Sequence, residues 1–117
     1  MGMTQKLRKE AEDRWPNLKS FFECYLHEDW DVFDDTPQKA VDRAISETPL
    51  DKLKLVTTEW WDWNARSARA PSLERQVNEG LGVNVLFDTQ TEAREFMNLV
   101  YDKLIVAIRK EEKGWKP

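Results

Sequence analysis

The chain has 117 residues, of which 40% are hydrophobic and 34% are charged, and its formal net charge at pH 7 is −4. This length and composition are typical of a single soluble globular domain over residues 1–117, and they exclude an intrinsically disordered chain. The negative charge disfavours nucleic acid as a partner and favours a basic partner.

Two helices are predicted in the first 28 residues. Apolar residues recur at every fourth position, at Leu7, Ala11 and Trp15, which predicts a short helix over 4–14. A frayed terminus is an equally good interpretation of this polar stretch. The second helix is predicted over 16–28, with a proline in its first turn, where the missing N–H costs no hydrogen bond. Its apolar stripe consists of Leu18, Phe21, Phe22, Tyr25 and Leu26.

Two Thr-Pro pairs predict the starts of two further helices, because threonine caps the first turn and proline suits its first position. Thr36 precedes a helix predicted over 37–47, and Thr48 precedes one predicted over 49–67. Their apolar stripes contain Ala40, Val41, Ala44 and Ile45 in the first helix, and Leu50, Leu53, Val56, Trp60 and Trp63 in the second.

The last part of the chain predicts two helices and a connection between them. The first is a shorter helix that Pro71 and Ser72 open and that Gly80 or Gly82 ends. Residues 83–88 alternate like a strand, but a single strand would have no partner, so we expect an extended connection packed on the core. The last helix is predicted over 89–113, with Thr89 and Glu92 in capping-box spacing.

Together these elements predict an all-α fold, a compact single-domain bundle of five to six helices. The apolar stripes of the helices indicate which large side chains meet inside it. Eight of them are expected to share one core: Phe22, Leu26, Trp30, Val56, Trp60, Phe96, Val100 and Leu104.

Cysteine content and hydropathy bear on the location of the protein. Cys24 is the only cysteine, which excludes an intramolecular disulfide, and its aromatic neighbours predict that it is buried. The sequence contains no apolar run long enough for a signal peptide or a membrane span. We therefore expect a cytoplasmic protein with no membrane partner.

The segment between Trp15 and Ile45 carries a recognisable pattern. A Trp-Pro start and a Phe-Phe pair are followed by Tyr-Leu-His-Glu-Asp-Trp-Asp at 25–31, then by an acidic turn and a proline-started helix containing Ala-Val. This pattern resembles the immunity protein family of bacterial contact-dependent growth inhibition (CDI) systems, the CdiI-like proteins. Glu23 and Cys24 depart from it, because that family often has a small residue such as glycine at this point.

The resemblance implies a cytoplasmic immunity protein that is not an enzyme. Such a protein binds the C-terminal toxin domain of a cognate CDI effector, which a neighbouring cell delivers, and neutralises it stoichiometrically. We therefore expect a monomer that forms a 1:1 complex with a toxin domain of basic character. The resemblance is compatible with a nuclease, a deaminase or a pore-forming toxin.

The densest acidic stretch lies between the helices predicted over 16–28 and 37–47. Three interpretations are open: helix capping with a solvated turn, a binding surface for a basic partner, or a site for a hard cation. A calcium loop needs a glycine at its sharp turn and a bidentate glutamate downstream, and neither is present, so no metal site is predicted. The candidate toxin-binding residues of this stretch are Glu28, Asp29, Asp31, Asp34 and Asp35.

A second candidate group for toxin binding consists of Glu59, Trp61 and Asp62. In the helix predicted over 49–67, Trp60 can face the core while Trp61 points away from it. An exposed tryptophan flanked by carboxylates is typical of an interface anchor. The alternative is that Trp61 packs under a neighbouring helix.

His27 is the only histidine in the sequence. It could hydrogen-bond a turn, or it could act as a pH-sensitive residue paired with Glu23 or Asp31. The alternative function is a small metal-dependent or acid/base enzyme or regulator centred on His27 and nearby carboxylates, and a deep pocket around His27 would favour it. Cys24 and His27 lack further ligands in zinc spacing, and no phosphate loop or nucleophile motif is present. No catalytic residue, metal or cofactor is therefore predicted.

Overall fold

Seven α-helices are present in the computed structural model, which describes residues 2–67 and 71–117. In chain order they are α1 (Met3–Arg14), α2 (Pro16–Tyr25), α3 (Trp30–Phe33), α4 (Pro37–Glu47), α5 (Leu50–Ser67), α6 (Leu73–Arg75) and α7 (Gln90–Glu111). A π-helical turn, Gln76–Gly80, continues α6. No strand occurs within the described residues, and the all-α prediction is confirmed.

The predicted number of five to six helices is too low, because the acidic segment contains a helix of its own. This helix, α3, is a single turn of four residues, in which the N–H of Asp34 donates to the carbonyl of Trp30 over 3.1 Å. Four residues are too few to display a helical apolar period, so the sequence pattern did not reveal it. The preceding helix, α2, correspondingly ends at Tyr25 rather than near residue 28.

The predicted helix caps have mixed outcomes. Thr36 caps α4 and Thr89 caps α7, each accepting a 3.2 Å hydrogen bond from the backbone N–H three residues further on. Thr48 differs from its predicted role, because its hydroxyl donates to the carbonyl of Ala44 over 2.6 Å at the end of α4. It therefore serves the helix before it.

The helices enclose an apolar core in which α5 packs against both α2 and α7. Of the eight side chains predicted to share this core, seven are buried in it. Trp30 is the exception, half-buried against the core, and its indole N–H donates to the carbonyl of Asn84 over 2.7 Å. Burying a large apolar side chain contributes about 1.5–3 kcal/mol. The largest fully buried side chains are Trp15, Trp63, Phe22, Leu18, Leu26, Leu81, Met97, Leu104 and Ile108.

The first helix, α1, packs on the π-helical turn through Leu7 and Ala11, both buried. The backbone of Gly80 lies beside Leu7, where a Cβ atom would stand at an ordinary van der Waals distance of 3.6 Å from the carbonyl oxygen of Leu7. The hydroxyl of Thr4 also donates to the carboxylate of Glu79 on the same turn. These contacts fix α1 as one wall of a surface cleft.

The connection between the π-helical turn and α7 contains no strand and packs on the core, as predicted. The side-chain amide of Asn78 donates to the carbonyls of Val83 and Val85 over 2.7 and 2.8 Å. The N–H of Asn84 donates to the carbonyl of Leu26, the residue that follows α2, over 2.8 Å. These bonds take the place of a strand partner, since backbone polar groups beside a core need hydrogen bonds.

Candidate protein-binding surface

The acidic turn, residues 28–35, joins α2 to α4 and contains α3. Asp35 pairs with Lys39 over 3.1 Å, but both side chains are largely exposed, so this ion pair contributes little to stability. The carboxylates of the turn that are exposed to solvent give this end of the protein a negative surface. They belong to Glu28, Asp29, Asp31 and Asp35.

Asp34 differs from the other carboxylates of the turn, because its side chain is only 9% exposed. Its Oδ2 atom accepts hydrogen bonds from Nε and Nη2 of Arg43, over 3.1 and 2.9 Å, and its Oδ1 atom accepts a longer one from Nε, over 3.3 Å. The guanidinium of Arg43 also lies over the rings of Tyr25 and Phe33, 5.2 and 5.6 Å from their centroids. A bidentate, charge-assisted pair of this kind ties α3 to α4. Asp34 is thus less accessible to a partner than the four exposed carboxylates.

Glu59, a residue of the second candidate group, caps a helix other than its own. Its Oε1 atom accepts hydrogen bonds from the backbone N–H groups of Asn17 and Leu18, over 2.8 and 3.0 Å. Its Oε2 atom accepts one from the side-chain amide of Asn17, over 2.6 Å. The first N–H groups of a helix have no partner within the helix, and a carboxylate there also favours the helix dipole. Glu59 of α5 is therefore the N-terminal cap of α2.

Asp62 and Trp61, the other members of that group, also contact neighbouring helices. Oδ2 of Asp62 accepts hydrogen bonds from the indole N–H of Trp15 over 2.9 Å and from Nε of Arg66 over 3.1 Å. The bond from Trp15 above all, with the charge of Arg66, holds the pKa of Asp62 below its usual range. Trp61 is 53% exposed, and its ring centroid lies 5.8 Å from that of Tyr101 on α7. Trp61 thus packs on a neighbouring helix and still presents a surface to solvent.

A cleft of about 700 Å³ opens between α1, α2 and the connection to α7. Its lining includes Lys19 of α2, His27 of the following turn and Leu86 of the connection. Lys19 is buried there, where its ammonium pairs with Glu23 over 3.4 Å and donates to the carbonyl of Gly80 over 3.2 Å. Two of the three predicted site features adjoin this cleft, the acidic turn through Glu28 and His27 itself, whereas the group around Trp61 does not.

A comparison with protein families identifies the family to which this chain belongs. The sequence model of the family described as CdiI immunity protein matches residues 14–104, well over half of the chain. The chain belongs to the CdiI immunity protein family. This match confirms the resemblance seen between Trp15 and Ile45, and it includes the whole acidic turn and α5. No curated protein and no solved structure matches the chain significantly.

In this member of the CdiI family, His27 stabilises the turn that follows α2. Its Nδ1 atom accepts a hydrogen bond from the N–H of Asp29 over 3.1 Å, which confirms the predicted turn-bonding role. Its ring contacts Phe33 edge-on, with the centroids 6.3 Å apart. No group of three or more His, Cys, Asp or Glu side chains in residues 2–67 and 71–117 is arranged to hold a metal ion. Within the same ranges, no helix is long and apolar enough to cross a membrane.

Cys24 is exposed, so the prediction of a buried thiol is wrong. The buried face of α2 contains Phe21 and Phe22. Position 24 lies roughly 200° around the helix from position 22, because successive residues are about 100° apart, and it therefore points outward. The aromatic neighbours in the sequence did not indicate burial, because adjacent residues of a helix lie on different faces.

Sequence reasoning missed three exposed apolar side chains at this end of the protein, Val32, Phe33 and Leu86. A signal for two of them was available, because Val32 and Phe33 stand between the carboxylates of Asp31 and Asp34. Of the apolar side chains of the four-residue helix α3, only Trp30 packs against the core, and Val32 and Phe33 stay exposed. Grouped apolar side chains at a surface are typical of interaction sites.

Proposed function

We propose that this chain is a cytoplasmic immunity protein that binds the C-terminal toxin domain of a cognate CDI effector and neutralises it. The complex contains one copy of each protein, and neutralisation works by occupying the toxin's surface rather than by a chemical reaction. The observation that carries the proposal is the match of residues 14–104 to the CdiI immunity protein family. Such a role requires no cofactor and no metal ion.

The acidic turn is the surface that we propose for the first contact with the toxin domain. It carries four exposed carboxylates, those of Glu28, Asp29, Asp31 and Asp35. A basic toxin surface, such as a nuclease uses to hold nucleic acid, is attracted to these charges, which mainly raise the association rate. The net charge of −4 also attracts a basic toxin domain, over longer distances. Trp61, exposed on α5, is the next candidate for an interface anchor.

The alternative function is a small enzyme centred on His27, and the cleft beside this residue is the one feature that favours it. A general base needs an available lone pair within reach of the proton that it removes. In His27 the Nδ1 lone pair is already used by the N–H of Asp29, and the nearby carboxylate of Glu23 is paired with Lys19. Binding and occlusion make no such demand, so the immunity role is the better supported function.

Co-expression with the toxin domain tests the proposal. The chain is produced together with the C-terminal domain of the effector that is encoded directly upstream, and one of the two proteins carries an affinity tag. We expect the proteins to co-purify as a 1:1 complex, with the stoichiometry measured by light scattering after size-exclusion chromatography. Cells that produce the toxin domain should survive only when they also contain this chain.

The toxin domain of an unrelated CDI effector is the control for specificity, and it should neither co-purify with the chain nor be neutralised by it. Failure of the cognate pair both to form a complex and to restore growth would reject the proposal. Restored growth without a complex, accompanied by a covalent change in the toxin domain, would instead support the enzyme.

A further inference from the structure

The acidic turn and the lining of the cleft together present three exposed apolar side chains. Leu86, Val32 and Phe33 are 90%, 74% and 65% exposed, more than the other large hydrophobic side chains of the described residues. Leu86 lines the cleft together with His27, and the ring of His27 contacts that of Phe33. Clustered exposure of this kind costs solubility unless another surface covers it, so it marks an interaction site.

The two segments that present these side chains are anchored to each other and to the fold. The indole N–H of Trp30, in α3, donates to the carbonyl of Asn84, two residues before Leu86. The side-chain amide of Asn78 donates to the carbonyl of Val85, the residue before Leu86. A surface that is already fixed loses little conformational entropy when a partner binds. Leu86 and α3 are therefore exposed on a surface that is already fixed for binding a partner.

The charges that line the cleft favour a positively charged occupant. Four of the lining residues are carboxylates and two are cations. One of these cations, Lys19, is buried and already paired with Glu23. Glu12 of α1 and Glu28 of the acidic turn are exposed, and neither forms an ion pair with another described residue. The other cation, Arg8, forms no ion pair within the described residues, so the lining has two more carboxylates than cations. A partly enclosed excess of negative charge attracts a cation more strongly than the same charges would in open water.

We propose that this cleft receives a lysine or arginine side chain of the toxin domain, and that Leu86 and Phe33 are covered by apolar atoms on either side of it. The methylene stem of such a side chain packs on Leu86 while its charged end lies near Glu12 and Glu28. The inference rests on the proposed function. It assigns the toxin domain as the occupant because the cleft continues the acidic turn, and both surfaces carry the charge that complements a basic protein.

Two pairs of matched variants test the apolar and the charged part of this inference separately. Leu86→Ala is compared with Leu55→Ala, which removes the same atoms from an exposed leucine of α5 that does not line the cleft. Glu12→Gln is compared with Asp13→Asn, which removes the same charge one residue further along α1, again outside the lining. The full-length variants are titrated with the purified toxin domain in a calorimeter, after each has been shown to melt near the wild-type temperature.

We expect Leu86→Ala to weaken toxin binding by at least about tenfold and Glu12→Gln by about fivefold, while each control changes the affinity by less than about twofold. The loss in Glu12→Gln should shrink as salt is added, because the cation and the carboxylate are then screened. Leu86→Ala and Leu55→Ala with equal affinities would overturn the apolar contact, and Glu12→Gln and Asp13→Asn with equal affinities would overturn the cation site.

These outcomes are distinct from a failure of the proposed function. If the wild-type chain binds and neutralises the toxin domain and all four variants bind it with unchanged affinity, the proposed role of the cleft is wrong and the immunity role stands. A wild-type chain that does not bind the cognate toxin domain overturns both.

Discussion

Both carboxylate oxygens of Glu59 accept hydrogen bonds from Asn17, one from its backbone N–H over 2.8 Å and the other from its side-chain amide over 2.6 Å. The contact joins α5 to the first turn of α2 across 42 residues of sequence. The residue before that turn, Trp15, has no side-chain oxygen with which to cap it. Glu59 therefore provides from another helix the cap that the local sequence lacks.

Replacement of Glu59 with alanine should lower the free energy of unfolding by about 1–3 kcal/mol, because it leaves the N–H groups of Asn17 and Leu18 unsatisfied in a partly buried position. Urea unfolding monitored by tryptophan fluorescence measures the change. Glu95→Ala, at an exposed position of α7, is the control and should cost less than about 0.5 kcal/mol. Equal stabilities of the two variants would show that the cap is dispensable.

A second stability prediction concerns the pH dependence at Asp62. The folded protein lowers the pKa of this carboxyl below its usual value of about 3.9, chiefly through the hydrogen bond from Trp15. A group whose pKa is lower in the folded than in the unfolded state stabilises the fold above the unfolded pKa. This contribution is lost as the pH falls through the folded pKa.

The variant Asp62→Asn should therefore be less stable than the wild type near neutral pH, and the difference should shrink as the pH falls below about 4. Urea unfolding of both proteins over the range from about pH 7 to about pH 3 measures it. Asp13→Asn, which removes an exposed carboxylate of α1, should show no such trend. A difference between Asp62→Asn and the wild type that stays constant over the range would contradict the assigned role of the charge.

The features that the sequence predicted depend on residues close to one another along the chain. Thr36 and Thr89 cap their helices as expected, since each bond reaches only three residues forward. The apolar stripes likewise identified seven of the eight core side chains, because helical spacing alone decides which residues share a face. The same reasoning failed for α3, because its four residues span only one repeat of the pattern.

The parts of the candidate surface that could not be predicted depend on distant residues. Glu59 and Asp62 look like surface carboxylates in the sequence, but their partners Asn17 and Trp15 lie 42 and 47 residues away. The cleft has walls from α1, α2 and the connection to α7, and no local pattern brings these segments together. The acidic turn was predictable because its exposure follows from its own composition.

The contacts of His27 lead to a prediction about neutralisation. His27→Gln should leave protection against the toxin largely intact, because the only hydrogen bond of its side chain in the described structure is accepted from the N–H of Asp29, and a glutamine oxygen can also accept one. Survival of cells that produce the toxin domain measures protection, with the melting temperature as the control for folding. Complete loss of protection, in a variant that melts and binds the toxin domain like the wild type, would point to chemistry at His27.

The position of the toxin interface is tested by reversing charges on the acidic turn. The double variant Asp31→Lys with Asp35→Lys should weaken toxin binding by at least about tenfold, or roughly 1.4 kcal/mol. Both carboxylates are exposed, so their replacement should spare the fold. Asp34 is left unchanged, because its pair with Arg43 holds α3 on α4. Its replacement would change the stability of the protein as well as its affinity for the toxin domain.

The matched control for this variant is Asp13→Lys with Glu95→Lys, which makes the same change in net charge at exposed positions of α1 and α7. Titration calorimetry at low and at high salt separates two effects. The change in net charge acts at long range on both variants alike and is screened by salt, whereas contacts made by the turn itself are screened much less. A loss of affinity that remains larger in the turn variant at high salt therefore locates the interface at the acidic turn. Equal affinities of the two variants at both salt concentrations would locate it elsewhere, and Trp61 on α5 would then be the next position to change.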